Sequence, residues 1–208
     1  MSLPELAEHQ HDVVSDNAGV HYYHDRHFHR DAVTLLPGHF VVTQRPLLLV
    51  TVLGSCIAAC MRDPVTGICG INHFMLPQGE LSPFSAPARY GSHAMELLIN
   101  AMLKAGASRA RLEAKLFGGG RIHHSKNKET IGERNACFAR QYLATENIPV
   151  VAEDVMGDHA RKIYFFTDSG KVRVREILQD AARLQEQRYS DTLAPKPAAG
   201  DSNVELFT

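Results

Sequence analysis

Residues 51–77 read TVLGSCIAACMRDPVTGICGINHFMLP, and this stretch decides the fold of the chain. Its three short apolar runs are separated by a Gly-Ser-Cys turn at 54–56 and by a second turn, DPVTG, at 63–67. Short apolar runs on either side of a Pro/Gly turn are typical of an antiparallel β-hairpin. The stretch therefore predicts a strand that ends near Cys56 and a hairpin that brings His73 back towards it.

Strands predominate in the rest of the chain as well. Alternating or continuous apolar patterns predict strands at 39–44, 47–54, 109–117, 150–156, 161–168 and 171–177. Apolar residues at helical spacing predict two helices, at about 92–105 and 132–146. Because hairpins outnumber βαβ units, we predict an α+β fold: a layered α/β sandwich of mainly antiparallel strands flanked by helices.

The length of 208 residues suffices for one domain with tails. We predict an N-terminal arm over residues 1–35, the main domain over 36–178 and a C-terminal tail over 179–208. The tail begins as a helix and becomes rich in Pro, Ala and Gly towards its end, a composition typical of disorder. Residues 78–92, which directly follow the hairpin, are predicted to form a loop that walls a substrate cleft.

Composition excludes several classes of function. Hydrophobic residues make up 44% of the chain and charged residues 22%, the ordinary globular balance, and the formal net charge is -1. Such a charge offers no electrostatic basis for binding nucleic acid or an anionic membrane, and no apolar run approaches the length of a membrane span. The polar, acidic N-terminus is not a secretory signal, so we expect a cytoplasmic protein without membrane insertion.

Two further motifs have modest interpretations. The segment HYYHDRHFH at 21–29 holds four histidines, but no cysteine or fixed tetrahedral spacing accompanies them. We therefore expect Tyr22, Tyr23 and Phe28 to lean on the domain, and no metal site. The glycine run at 118–120 lacks the Gly-Lys-Ser/Thr of a phosphate loop and is interpreted as part of a solvated turn.

Cys56 is the strongest candidate among the four cysteines, Cys56, Cys60, Cys69 and Cys137. It follows Gly54-Ser55, a flexible pair at which backbone N–H groups can face the thiol and hold a developing oxyanion. An imidazole brought back by the hairpin can form a thiolate–imidazolium pair with it. A packed core cysteine beside a satisfied histidine is the alternative, and spacing alone slightly favours it. The other three cysteines are interpreted as core residues.

Residues 51–77 also resemble the signature of the chemoreceptor glutamine deamidases, the CheD family of bacterial chemotaxis. The LGSC and NHFMLP pieces, at this separation, carry the specificity of the resemblance. The likeness continues through YGSHAMELLINAMLKAGA, LEAKLFGGG, IGERNACFARQYL and VAEDVMGDHARKIYFFTDSGKVRV. It covers roughly residues 36–177.

The resemblance implies a cysteine-dependent protein-glutamine glutaminase that hydrolyses particular receptor glutamines to glutamate and releases ammonia through a thioester. In this comparison Cys56 matches the nucleophile and His73 the general acid/base. The family's third residue is a threonine shortly before the cysteine. Thr51 is the nearest one here, and Val50 is the alternative occupant of the equivalent place.

The resemblance also implies a layered sandwich related to the deamidating bacterial toxins, and chemistry that needs no metal or organic cofactor. The implied partners are the cytoplasmic domains of methyl-accepting chemoreceptors and a phosphatase of the CheC type. Three other functions stay open: a non-catalytic adaptor for receptors or phosphatase, a receptor glutamate methylesterase, and a redox-sensing thiol protein.

Overall fold

The computed structural model describes residues 13–15, 19–76, 86–122 and 130–178, together with 180, 182–184, 186 and 188 of the C-terminal segment. Two β-sheets and two helices described without a gap form three layers, and the described residues of the C-terminal segment are helical as well. The strands are β1 Val13–Ser15, β2 Val20–Asp25, β3 Arg30–Leu35, β4 Phe40–Thr43, β5 Leu48–Leu53, β6 Ile57–Arg62, β7 Cys69–Asn72, β8 Glu113–Gly118, β9 Val150–Val155, β10 Ala160–Phe166 and β11 Lys171–Ile177. The helices are α1 Ala86–Lys104 and α2 Ile131–Thr145, and a 3₁₀ turn spans Arg109–Arg111.

The strands divide between two mixed sheets. The first sheet has the order β1-β4-β7-β6-β8-β9, and the second has the order β11-β10-β5-β3-β2. The pairs β3–β5 and β8–β9 are parallel, while the other pairs are antiparallel. Hairpins therefore dominate, and the predicted layered α/β sandwich of mainly antiparallel strands is confirmed.

The first sheet lies between the helices and the second sheet, because the side chains of its central strand alternate between two cores. Ile57, Ala59 and Met61 of β6 pack with residues of α1 and α2. Ala58 and Cys60, which point the other way, pack with the second sheet. The predicted hairpin of β6 and β7 is confirmed, and it forms the centre of the middle layer.

Strand β5 is covered on both faces, as its continuous apolar run predicts. Leu49 and Leu53 point into the core between the two sheets. Leu48 and Val50 point to the outer face, where they pack with aromatic residues such as Phe28. This alternation decides which β5 side chains can reach the first sheet. The side chains on the outer face, including that of Val50, cannot reach it.

Two boundaries predicted from the sequence are wrong. The predicted loop 78–92 becomes helix from Ala86 onward, because Pro87 lies in the first turn of α1, where no intrahelical N–H partner is needed. The predicted strand 109–117 begins at Glu113 and is preceded by the 3₁₀ turn. Residues 78–85 of that loop lie outside the described residues.

The predicted division at residue 36 stays a prediction, but residues 20–35 do more than the predicted arm implies. They form the β2–β3 hairpin at one end of the second sheet. The rings of Tyr164 and Phe166 lie 5.0 and 5.2 Å from that of Phe28, which leans on the sheet as expected. Edge strand β2 is half-exposed, so its sequence lacks a sustained apolar period.

The turn between β6 and β7 depends on the buried carboxylate of Asp63. The carboxylate accepts hydrogen bonds from the backbone N–H groups of Val65 at 3.0 Å and Ser108 at 2.9 Å, and it forms a salt bridge with Arg111 at 2.7 Å. We expect Asp63→Ala to lower the free energy of unfolding by about 2 kcal/mol, because it removes the hydrogen bonds that the carboxylate accepts from Val65, Ser108 and Arg111. Denaturation at neutral pH measures this, with the exposed Asp180→Ala as control, and equal midpoints for the two variants would contradict it.

Candidate active site

Cys56 lies in the loop between β5 and β6, so the connection between the two sheets carries the thiol. Its side chain is 0% exposed. Ile57 and Phe74 exchange two backbone hydrogen bonds of 2.9 Å, which sets the register of the loop against the chain after β7. In this register Ala58 lies opposite His73, and Cys56 is the next residue on the same face. The hairpin therefore places Cys56 and His73 as diagonal neighbours facing the second sheet.

Thr51 of β5 meets His73 across the space between the sheets. Its Oγ1 lies 2.8 Å from His73 Nδ1 and donates to the carbonyl of Leu35, also at 2.8 Å. Because the carbonyl can only accept, the hydroxyl donates its hydrogen bond to Leu35 O, and Oγ1 accepts a hydrogen bond from Nδ1–H of His73. The alternative Val50 points to the opposite face of β5.

The free nitrogen of His73 is therefore Nε2. It is buried and has no hydrogen-bond partner among the described residues. Burial lowers the pKa of His73 to about 4, so the imidazole is neutral at pH 7. A neutral ring with Nδ1 protonated presents Nε2 as a proton acceptor, which is the form that a general base needs.

This burial predicts a pH dependence of stability. His73 takes a proton near its ordinary pKa of 6.5 when unfolded but only near 4 when folded. Between these values the unfolded state binds more protons, so the free energy of unfolding falls as the pH falls, by on the order of 3 kcal/mol. Urea denaturation of the wild type and of His73→Gln from pH 8 to 4 measures this. The difference between the two proteins should shrink as the pH falls below 6.5, and a constant difference would contradict the assignment.

Backbone donors converge beside the thiol, and a carboxylate occupies them. Glu186 Oε1 accepts from the N–H groups of Gly54 at 3.2 Å and Cys56 at 2.9 Å, and its Oε2 accepts from Ser55 Oγ at 2.7 Å. The sequence predicts that backbone N–H groups at Gly54-Ser55, next to Cys56, hold the oxyanion. The donors in the structure are those of Gly54 and Cys56, on either side of Ser55.

The glycine run 118–120 holds this loop from behind, so its interpretation as part of a solvated turn is wrong. All three glycines are buried. Gly119 N donates to Cys56 O at 2.7 Å, and Gly120 N donates to Gly54 O at 2.6 Å. A Cβ on Gly118, whose φ is +111°, would lie 2.1 Å from Cys56 O. Only glycine permits the close backbone approach that positions the loop.

Asn135 of α2 ties both halves of the site together, and sequence reasoning missed it. Its side chain is 0% exposed. Nδ2 donates to Ser55 O at 2.7 Å, while Oδ1 accepts from Leu76 N at 3.0 Å. One amide thus fixes the loop before the thiol to the segment after His73. A polar residue among the apolar positions of a predicted helix was the available signal.

In this arrangement the thiol of Cys56 is protonated. Burial raises its pKa well above the ordinary value, and the carboxylate of Glu186 raises it further. The thiolate–imidazolium pair expected from the sequence is therefore not favoured while Glu186 lies in the loop. Both partners are neutral instead.

Other candidate features lie away from this site. Cys60 and Cys69 are buried in the core between the sheets, and Cys137 of α2 is half-buried. A cavity of about 240 Å³ lies at the far end of β6, beside Arg62 and Lys115. Within the described residues no three His, Cys, Asp or Glu side chains are grouped to hold a metal ion, and none of the helices described there has the length and apolarity to cross a membrane.

Fold and site together define a class: a layered α/β sandwich whose sheet connection carries a buried cysteine, with a histidine and a threonine beside it. Over 203 residues the chain is 48% identical to a probable chemoreceptor glutamine deamidase CheD from Janthinobacterium sp. (strain Marseille), covering 95% of this chain and 99% of the relative. A protein of the same name from Stenotrophomonas maltophilia (strain K279a) is 53% identical over 188 residues, which cover 89% of this chain and 93% of the relative.

The family model described as CheD chemotactic sensory transduction matches residues 75–176. The chain therefore belongs to the CheD family. Among solved structures, the C-terminal domain of CNFy from Yersinia pseudotuberculosis superposes with a TM-score of 0.32 at 8% identity, over 71% of this chain and 62% of that one.

Proposed function

We propose that this protein is a chemoreceptor glutamine deamidase, a protein-glutamine glutaminase that hydrolyses receptor glutamines to glutamate in chemotaxis. Membership of the CheD family supports the reaction and the substrate. One observation of the site carries the mechanism: the N–H groups of Gly54 and Cys56 converge on a single oxygen beside a buried thiol. Such a pair of donors is what a tetrahedral oxyanion requires.

Cys56 is the nucleophile in this proposal, and His73 is the general acid and base. When a substrate carboxamide replaces Glu186, the carboxylate charge that opposes ionisation of the thiol leaves the loop. His73 accepts the thiol proton at Nε2, and the sulfur attacks the carboxamide carbon. The N–H groups of Gly54 and Cys56 hold the oxyanion.

The tetrahedral intermediate then collapses. The imidazolium returns its proton to the nitrogen, the carbon–nitrogen bond breaks and ammonia leaves a thioester on Cys56. His73 next deprotonates a water molecule, which attacks the thioester and releases glutamate. Thr51 orients the ring throughout by accepting from Nδ1, so it is a positioning residue.

We place this reaction in the cytoplasm, on the cytoplasmic domains of methyl-accepting chemoreceptors. Each event replaces a neutral amide with a negative charge on a receptor helix, which changes the electrostatic balance of the helical bundle. The family resemblance alone supports a second partner, a phosphatase of the CheC type.

Incubation of the wild type with a receptor cytoplasmic fragment tests the proposal. We expect ammonia release and a gain of about 1 Da at each target glutamine by peptide mass spectrometry, since an acid replaces an amide. Release of methanol from methylated receptor, with no change at glutamine, would indicate a methylesterase. Binding to the receptor without either product would indicate an adaptor.

A further inference from the structure

The C-terminal segment sends one side chain into the candidate active site. Its described residues 180, 182–184, 186 and 188 are helical. Glu186, on this helix, is 3% exposed although it carries a carboxylate. The loop before and at Cys56 supplies it with two N–H donors and the Ser55 hydroxyl. Burial of an ionised carboxylate is costly unless hydrogen-bond donors compensate it. The three donors of the loop provide this compensation, so the loop forms a specific binding site for the Glu186 carboxylate.

Contacts one helical turn before Glu186 anchor the segment. Ala182, which shares a helix face with Glu186, is buried against Ile122 and Ala160. Arg183 Nε donates to the carbonyl of Ile122 at 2.5 Å. The opposite side of the same helix is open to solvent, since the side chain of Asp180 is 93% exposed. The helix thus docks with one defined face towards the site.

The nucleophile loop leaves room for this carboxylate at a glycine. A Cβ on Gly54 would lie 2.8 Å from Glu186 Oε1 and 2.2 Å from Ile122 Cδ1. Gly54 therefore packs closely against both Glu186 of the segment and Ile122, on which the segment rests. A side chain at Gly54 would require the Ile122 and Glu186 side chains to shift.

The side chain of Glu186 is of the type that deamidation of a glutamine produces. A glutamine side chain has the same length and shape, so its carbonyl oxygen fits the position of Oε1 between the N–H groups of Gly54 and Cys56. Its amide nitrogen fits the position of Oε2, where Ser55 Oγ accepts instead of donating. The segment presents a product-like side chain on a helix, as a receptor does.

We propose that the C-terminal helical segment is an intramolecular pseudosubstrate, which seats Glu186 in the carboxamide site and must leave before a receptor helix binds. This inference rests on the proposed function, because it takes the nucleophile loop to be the carboxamide site. The segment competes with the receptor, so only the fraction of molecules with Glu186 displaced binds substrate. Burial and, after it, the Glu186 carboxylate raise the pKa of Cys56, which agrees with a resting state.

The substitution Glu186→Gln turns the segment into a substrate in cis. The sulfur of Cys56 bonds to the introduced amide carbon, the carbon–nitrogen bond breaks, and ammonia leaves with a proton from His73. Water then replaces the sulfur and leaves a carboxylate at position 186. We expect the C-terminal peptide of E186Q to gain about 1 Da during expression or incubation, with no receptor present. The double variant C56A/E186Q keeps the amide mass.

Asp180→Asn is the matched control, because it makes the same change of acid to amide at an exposed position of the same helix. Its amide mass stays constant. If E186Q also keeps its amide mass while the wild type deamidates a receptor fragment, the proposal that residue 186 occupies the carboxamide site is overturned. Glu186→Ala should lower the KM for the receptor about tenfold or more, as expected when a competing occupant is removed. An unchanged KM overturns the proposal as well.

A labelling measurement separates this inference from the proposed function. If no variant deamidates the receptor, the proposed function fails, and alkylation of Cys56 still tests the segment. Iodoacetamide should label Cys56 several-fold faster in Glu186→Ala than in the wild type or Asp180→Asn, as measured by peptide mass spectrometry. Equal labelling rates would show that Glu186 does not cover the thiol, and the inference would fail.

Discussion

Cys56→Ala is expected to abolish ammonia release from a receptor fragment while the fold stays intact. The sulfur carries the acyl group between the two halves of the proposed reaction, and alanine offers no substitute for it. We expect the rate to fall by a factor of about 10⁴ or more, since removal of a nucleophile leaves only binding and oxyanion stabilisation. Ammonia release and peptide mass spectrometry measure the loss.

Cys60→Ala is the matched control for this experiment. Cys60 lies on the same face of β6, four residues further on, and is buried in the same core. It has no place in the proposed mechanism, so activity should persist in a folded protein, as judged by circular dichroism. If Cys56→Ala were as active as Cys60→Ala, a thioester on Cys56 would be excluded.

The sequence was sufficient for the local part of the site. The turn at 63–67 fixes the register of β6 and β7, and register places His73 opposite Ala58, beside Cys56. Period-two alternation then puts both side chains on one face. These are relations within a single hairpin, and a hairpin is what short apolar runs and turn residues predict.

The choice between Thr51 and Val50 lay beyond local patterns. Both belong to one apolar run, and a strand covered on both faces shows no alternation that would tell its two sides apart. The packing of the two sheets turns Thr51 towards His73 and Val50 outward, and for this reason we propose Thr51 for the third position. The third position therefore needed the three-dimensional structure.

The groups that support the loop were missed or misinterpreted for the same reason. Gly118 and Asn135 meet the backbone next to Cys56 from separate elements, far from it in sequence. Glu186 lies in a segment whose composition resembled a tail, and its burial depends on donors that only the folded loop presents. Sequence patterns report burial and period, but they do not report which distant backbone a side chain reaches.

His73→Gln is expected to lower the rate of deamidation by a factor of about 10³, within the usual range for loss of a general acid and base. Glutamine is polar and of comparable size, but it cannot carry the proton from the thiol to the departing ammonia. The substrate is still held by the N–H groups of Gly54 and Cys56, so the loss should fall on kcat more than on KM. Unchanged kcat would exclude His73 from proton transfer.

Thr51→Val tests whether the hydroxyl of Thr51 orients His73 for this proton transfer. Without Oγ1 the Nδ1–H group loses an acceptor 2.8 Å away, and the tautomer with a free Nε2 is less favoured. We expect a smaller loss in kcat, about 10- to 100-fold, because the imidazole itself remains. Thr51→Ser keeps the hydroxyl and should restore most of the rate, whereas a purely structural role in β5 would favour valine over serine. A valine variant more active than the serine variant would therefore show that Thr51 serves packing and not the orientation of His73.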